Sequence, residues 1–256
     1  LVWNDLNLGN FDYDLGDPRF RQTILSELEA LLDMTGTNPS LAVVCGGSEI
    51  AQQGAMLSLP ERVWDEPFFR DDFPAAVAAR RPDVVAVPGS PWGGALPFST
   101  NAGVTHYFGV GAYCRPLEDA RRADVRFASE CLAFANLPQP ERMPTSAAPG
   151  SPDWKALVVR DLKADWDFED TRDHYLKLLY EVDPARLRTE DPARYLALSS
   201  AVVGEVMEAT IAEWRRMGSG TAGALVWTLS DLGPGFGWGV IDYQGVPKPA
   251  YHALRR

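Results

Sequence analysis

Leu41-Ala42-Val43-Val44-Cys45-Gly46-Gly47-Ser48-Glu49 is the stretch that decides the fold. Its apolar run reads as a buried strand, the glycine pair ends it, and a carboxylate stands just past its C-terminal end. A second stretch, Val125-Arg126-Phe127-Ala128-Ser129-Glu130, delivers another carboxylate in the same way. Further strand candidates lie at residues 1–5, 84–88, 104–108 and 224–229. Helical patterns separate them. Asp17-Pro18 supplies a cap and first-turn pair ahead of Ile24, Leu25, Leu28, Leu31 and Leu32. Asp191-Pro192 repeats the device ahead of Tyr195, Leu198, Val202, Val206, Ile211 and Trp214, with Gly218 as the stop.

Strands alternating with helices indicate βα units and an α/β fold. In a barrel of parallel strands, the C-terminal ends of the strands carry the chemistry. Six strands cannot close an eight-stranded barrel. The expectation is therefore a (β/α)8 TIM barrel lacking its first two strands, unless a weak run such as 156–160 completes it. The chain opens on Leu1-Val2-Trp3, without Met and in mid-strand, which fits strands and β-sandwich domains upstream. No domain boundary or repeat is visible, so residues 1–256 read as one partial catalytic barrel. The Pro-, Ser- and Ala-rich residues 136–151 read as a loop that opens an excursion over about 132–190, placed to shape a substrate cleft.

Of the 256 residues, 46% are hydrophobic and 23% charged, which is enough to bury a large core. A formal charge of -11 argues against nucleic acid, whose phosphates need clustered Lys and Arg. Cys45, Cys114 and Cys131 are odd in number and widely spaced, so buried free thiols are expected rather than a disulfide framework or a zinc site. No uninterrupted apolar run reaches the roughly twenty residues of a membrane span, and no basic segment resembling a signal peptide is present. The expected location is cytoplasmic, with no membrane partner.

The acidic run Asp12-Tyr13-Asp14-Leu15-Gly16-Asp17 has Thr23 where a calcium loop needs Glu. The glycines of 233–239 lack the Lys-Ser/Thr of a phosphate loop. No metal or other cofactor is implied. Eight Trp and eight Tyr are a generous supply of flat rings, on which the C–H faces of sugars stack. Two carboxylates across a sugar are the minimum equipment of a glycosidase.

Leu1-Val2-Trp3-Asn4-Asp5-Leu6, Val43-Val44-Cys45-Gly46-Gly47-Ser48-Glu49, Thr105-His106-Tyr107-Phe108, Arg126-Phe127-Ala128-Ser129-Glu130 and Gly223-Ala224-Leu225-Val226-Trp227-Thr228-Leu229-Ser230-Asp231 occur in order. Together with the closing Gly239-Val240-Ile241-Asp242-Tyr243-Gln244-Gly245, they resemble the catalytic barrel of β-mannosidases in glycoside hydrolase family 2. The resemblance implies a retaining exo-acting enzyme that removes β-linked mannose from manno-oligosaccharides or glycans. It makes Glu49 the acid/base and Glu130 the nucleophile, with Glu49 starting protonated and Glu130 ionised. Their carboxyl groups should then lie about 5–5.5 Å apart.

The same resemblance assigns Tyr107 a hydrogen bond to the nucleophile and Trp227 the floor of the mannose subsite. Asp5, in Trp3-Asn4-Asp5, would bind sugar hydroxyls, and His106 would touch the site or pack beside it. Ser48 stands where the family has Asn, which implies a weaker or water-mediated contact near the sugar 2-hydroxyl. Gly47 replaces another common Asn, and Cys131-Leu132 replace an aromatic residue and Gly after the nucleophile. The alternatives are a β-galactosidase or β-glucuronidase of the same family, whose acidic pair is replaced here by Trp3-Asn4-Asp5, and a non-hydrolytic carbohydrate-binding barrel.

Overall fold

A computed structural model describes residues 1–10, 12–144 and 147–256; Thr145 and Ser146, within the stretch read as a loop, lie outside the described residues. The chain gathers into two compact units, Leu1–His106 and Tyr107–Arg256, a division that no compositional shift marks in the sequence.

In the first unit, the three apolar runs become parallel strands. Strand β1 (Val2–Asp5) is followed by helix α1 (Pro18–Met34), strand β2 (Leu41–Cys45), helix α2 (Ile50–Met56), the short helix α3 (Glu61–Trp64), a π-helical turn (Phe68–Asp72), helix α4 (Phe73–Arg80) and strand β3 (Val85–Val87). The sheet order is β1-β2-β3. Asp17 caps α1 by accepting the Arg19 amide, with Pro18 in the first turn, as its sequence requires. Ile24, Leu28 and Leu32 bury one face of α1 in a core shared with Leu41, Val44, Phe68, Phe73 and Val77.

Strand β4 (Thr105–Tyr107) carries the chain into the second unit. There follow helix α5 (Asp119–Arg122), strand β5 (Phe127–Cys131), helices α6 (Pro152–Lys155), α7 (Phe168–Tyr180), α8 (Pro184–Glu190) and α9 (Pro192–Arg215), strand β6 (Gly223–Val226) and helix α10 (Pro249–Leu254). The second sheet has the order β4-β5-β6, with β5 and β6 parallel. All six runs read as strands are strands. Residues 156–160 are not one; Val158 makes a single parallel bridge to Phe236. A closed barrel is not formed by these six strands.

Helix α9 has the length and apolarity of a membrane span, which the reading by uninterrupted runs overlooked because Ser199, Ser200, Glu205 and Glu208 break the run. Here it is a core helix. Tyr195, Val202, Val203, Val206, Met207 and Trp214 are buried, and the helix packs on α7 and α10.

The excursion is anchored rather than loose. Glu169 is fully buried and accepts from Trp154 Nε1 (2.6 Å), Arg172 (2.9 Å), the Tyr195 hydroxyl (3.0 Å) and Lys155 Nζ (2.9 Å). These partners come from α6, α7 and α9, so one carboxylate ties the excursion to the core helix. Its partners outweigh the cost of burial and hold its pKa down to about 2. Replacing Glu169 with Gln leaves Arg172 buried without its counter-charge and should cost about 3–5 kcal/mol, read by urea unfolding at neutral pH. With the folded pKa depressed, this contribution is complete above about 4.5 and fades as pH falls toward about 2. The gap between parent and Glu169→Gln should narrow over that window.

Candidate active site

The parallel ladder of the first unit runs on past its strands. Gly9 bridges Ser48 and Ser48 bridges Ser90, both in parallel. The Ser48 amide donates to Leu8 O and the Glu49 amide to Ser90 O (2.9 and 2.6 Å). Glu49 then takes a left-handed conformation, φ 60°, and α2 begins at the next residue. This conformation is uncommon for a residue with a Cβ and of a kind that clusters at functional sites.

The Glu49 carboxylate is held by three donors. His106 Nδ1 lies 2.8 Å from Oε1, Gln52 Nε2 donates to Oε1 (3.0 Å) and Gln53 Nε2 to Oε2 (3.4 Å). On its other side, His106 Nε2 is 2.9 Å from Ser90 Oγ. The His106 side chain is 2% exposed and that of Glu49 is 26% exposed, so a solvent-reachable carboxylate is backed by a buried imidazole. Above all the His106 hydrogen bond, and then the His106 charge and the two Gln amides, hold the Glu49 carboxyl below the usual carboxylate range against the opposing effect of burial. Inside its own unit these neighbours favour the ionised form of Glu49, whereas the resemblance implies that it starts protonated.

Asp5 ends β1 beside this ladder, in register with Cys45. It is exposed, and its Oδ1 accepts from Trp3 Nε1 at 2.8 Å, a pairing across two residues on one strand face. Burial, followed by the Asp5 charge, pushes the Cys45 thiol far up, so this cysteine is an inert core group. All three cysteines are free, with Cys45 and Cys131 buried and Cys114 half-buried.

In the second unit, Glu130 lies in β5 where the strand is irregular. Ala128 pairs with Ala224 but Cys131 with Val226, so three steps on β5 match two on β6. The extra residue falls at Ser129 or Glu130, and a bulge of this kind re-aims a side chain. Trp227 follows β6, is 36% exposed, and meets Trp238 edge to face at 6.0 Å. The Trp227 amide donates to Cys131 O.

Tyr107 does not take its expected place. Its hydroxyl donates to Asp119 at 2.9 Å, and the buried ring packs against Trp214 at 5.3 Å. Successive residues of a strand point to opposite faces, so β4 can aim either His106 or Tyr107 at the site. It aims His106, which faces Glu49. Ser90, Gln52 and Gln53 were not singled out by sequence, although Gln52 and Gln53 sit three and four residues beyond Glu49, the spacing of helix neighbours.

His106→Phe keeps a flat buried ring and removes the donor. With the largest cause of its lowered pKa gone, the Glu49 carboxyl should titrate at higher pH, read from its ¹³C carboxyl resonance in the full-length protein. An unmoved titration would refute the assignment of His106 as the dominant influence.

No family model matches the chain. A β-mannosidase B of Emericella nidulans is 28% identical over 280 residues, covering all of this chain and 32% of that protein. One of Aspergillus niger is 28% identical over 283 residues with the same coverage. Among solved structures, a β-D-mannosidase of Dictyoglomus thermophilum matches 100% of this chain and 31% of its own at TM-score 0.83 and 24% identity. An exo-chitosanase of Amycolatopsis orientalis in complex with PNP-β-D-glucosamine matches at TM-score 0.65 and 14% identity, over 100% of this chain and 30% of its own. The chain spans about a third of the length of these relatives. It is similar to β-mannosidases along its entire length, and its α/β fold is close to that of a solved β-mannosidase.

Proposed function

We propose that this chain is part of a retaining exo-β-mannosidase that releases terminal β-D-mannose from manno-oligosaccharides or glycans. The observation that carries this reading is the placement of Glu49 and Glu130 at the C-terminal ends of parallel strands, in a chain that matches β-mannosidases throughout. In this reading, strands elsewhere in the protein complete the (β/α)8 barrel, and further domains, β-sandwiches among them, account for the greater length of the relatives.

The Glu130 carboxylate attacks the anomeric carbon. The bond to the leaving oxygen breaks, and Glu49 delivers its proton to that oxygen. Glu49 then takes a proton from water, which attacks the glycosyl-enzyme and releases mannose with retained configuration. The second step needs Glu49 ionised, the form His106 favours. The first step needs it protonated. A nucleophilic carboxylate about 5–5.5 Å away would raise its proton affinity while charged and cease to do so once esterified. Glu49 would thus change role as Glu130 changes charge. Trp227 offers the ring on which the sugar stacks, and Asp5 a carboxylate for its hydroxyls.

In the full-length protein, Glu130→Ala should abolish turnover of every β-mannoside. Glu49→Ala should spare aryl mannosides with good leaving groups far more than poor ones, because the former need little protonation. If both variants turned over like the parent, this reading would be wrong. Aryl β-mannoside should be cleaved faster than the β-glucoside, β-galactoside or β-glucuronide. Asp5→Ala should cost about 1.5–3 kcal/mol in kcat/KM, the magnitude of a hydrogen bond to a charged group. Faster cleavage of the galactoside or glucuronide would move the assignment to those activities.

A further inference from the structure

We propose that the buried Lys248–Asp231 ion pair is a positioning device that fixes Trp238, and through it Trp227, as the floor of the sugar subsite. The proposal rests on the mannosidase reading for the word subsite, and on geometry alone for the positioning. Lys248 and Asp231 lie 17 residues apart in sequence, and their side chains are 1% and 4% exposed. Lys248 Nζ stands 2.5 Å from Asp231 Oδ2 and donates to Asn136 O at 3.0 Å. The other oxygen, Asp231 Oδ1, accepts from the Gly239 amide at 2.8 Å.

That approach is possible only because Trp238 is flanked by glycines. A methyl group on Gly237 would lie 2.3 Å from Asp231 Oδ1, and one on Gly239 would lie 2.3 Å from the Asp231 amide nitrogen. Asn136 holds the same segment as well. Its amide donates to Gly237 O (3.0 Å) and its Nδ2 to Trp238 O (2.8 Å). Trp238 O also accepts from the Thr228 amide, next to Trp227. The Gly237-Trp238-Gly239 backbone is thereby held by the carboxylate of the ion pair and by Asn136, whose carbonyl the same lysine binds. The Trp238 ring meets Phe168 at 5.3 Å and the half-exposed Trp227 at 6.0 Å.

A buried ion pair contributes little net stability compared with an apolar pair of the same volume, but it permits few geometries. Its use here is to set where two rings stand. Such a role predicts changes in ring position and sugar binding, whereas a role in stability alone would lower the folded amount and leave KM unmoved.

The test uses full-length protein labelled with 5-fluorotryptophan, its resonances assigned by Trp227→Phe and Trp238→Phe. Lys248→Met should shift the ¹⁹F resonances of Trp238 and Trp227 and leave those of Trp64 and Trp214 in place. It should raise KM for aryl β-mannoside at least fivefold with kcat within twofold, and Lys248→Arg should restore much of the loss. Should Lys248→Met fail to fold, Gly237→Ala presses on the same carboxylate from the loop side and should give the same shifts. Unmoved Trp238 and Trp227 resonances in a folded variant would overturn the proposal, as would an unchanged KM in a protein whose parent is active. A parent that cleaves no β-mannoside would instead count against the functional reading, and the fluorine shifts would then decide the positioning.

Discussion

The hydrogen-bonded ladder through Gly9, Ser48 and Ser90 is the constraint on which the placement of Glu49 depends. It keeps the backbone in parallel register past the last residues of the strands, so the chain cannot turn gradually into α2. The turn is made at one residue. Glu49 donates its amide to Ser90 O, adopts the left-handed conformation and offers its carbonyl to the Gln53 amide to start the helix. A conformation of this kind costs of order 1 kcal/mol and survives where the surroundings over-determine it. Here they do: one strand neighbour, one helix turn and the His106 imidazole all specify the same residue.

Polar burial does comparable work in the second unit, where apolar packing alone would leave the excursion free to slide. The Glu169 cluster joins α6, α7 and α9, while Lys248 and Asp231 pin the segment around Trp238. Each cluster joins groups from separate segments of the chain. Removing one member leaves a buried charge behind, which is costly, so each cluster admits a narrow set of arrangements. The surroundings of the half-exposed Trp227 are thus fixed by groups that are themselves out of reach of solvent.

What was legible in the sequence follows the range of the interactions. Apolar runs and Asp-Pro caps are local signals, and the six strands and the starts of α1 and α9 were read from them. Residues 156–160 carried an apolar run without a partner strand to lengthen it, and only Val158 pairs. The choice between His106 and Tyr107 was open because a three-residue strand has no periodicity from which to tell its faces; Asp119 and Trp214 decide it from outside the strand. Ser90 and the Lys248–Asp231 pair were invisible because nothing local distinguishes a loop serine or a charged pair 17 residues apart. The bulge at Ser129-Glu130 was hidden because it is a property of two strands, not one.

The departures from the β-mannosidase pattern around Glu49 have a backbone explanation. A side chain on Gly46 would run into Pro88 O at 2.3 Å, and one on Gly47 into Leu8 O at 2.8 Å. The neighbouring segments pass so close that a side chain at either position would require them to shift. Ser48 takes part in the ladder through its backbone, whose amide and carbonyl bond to Leu8 O and the Asn10 amide. That function is indifferent to the side chain. The ladder that positions Glu49 therefore forms with Gly47 and Ser48 in these places. In the proposed mannosidase reading, a change of side chain at 48 would then act on contacts to substrate rather than on the backbone that carries Glu49.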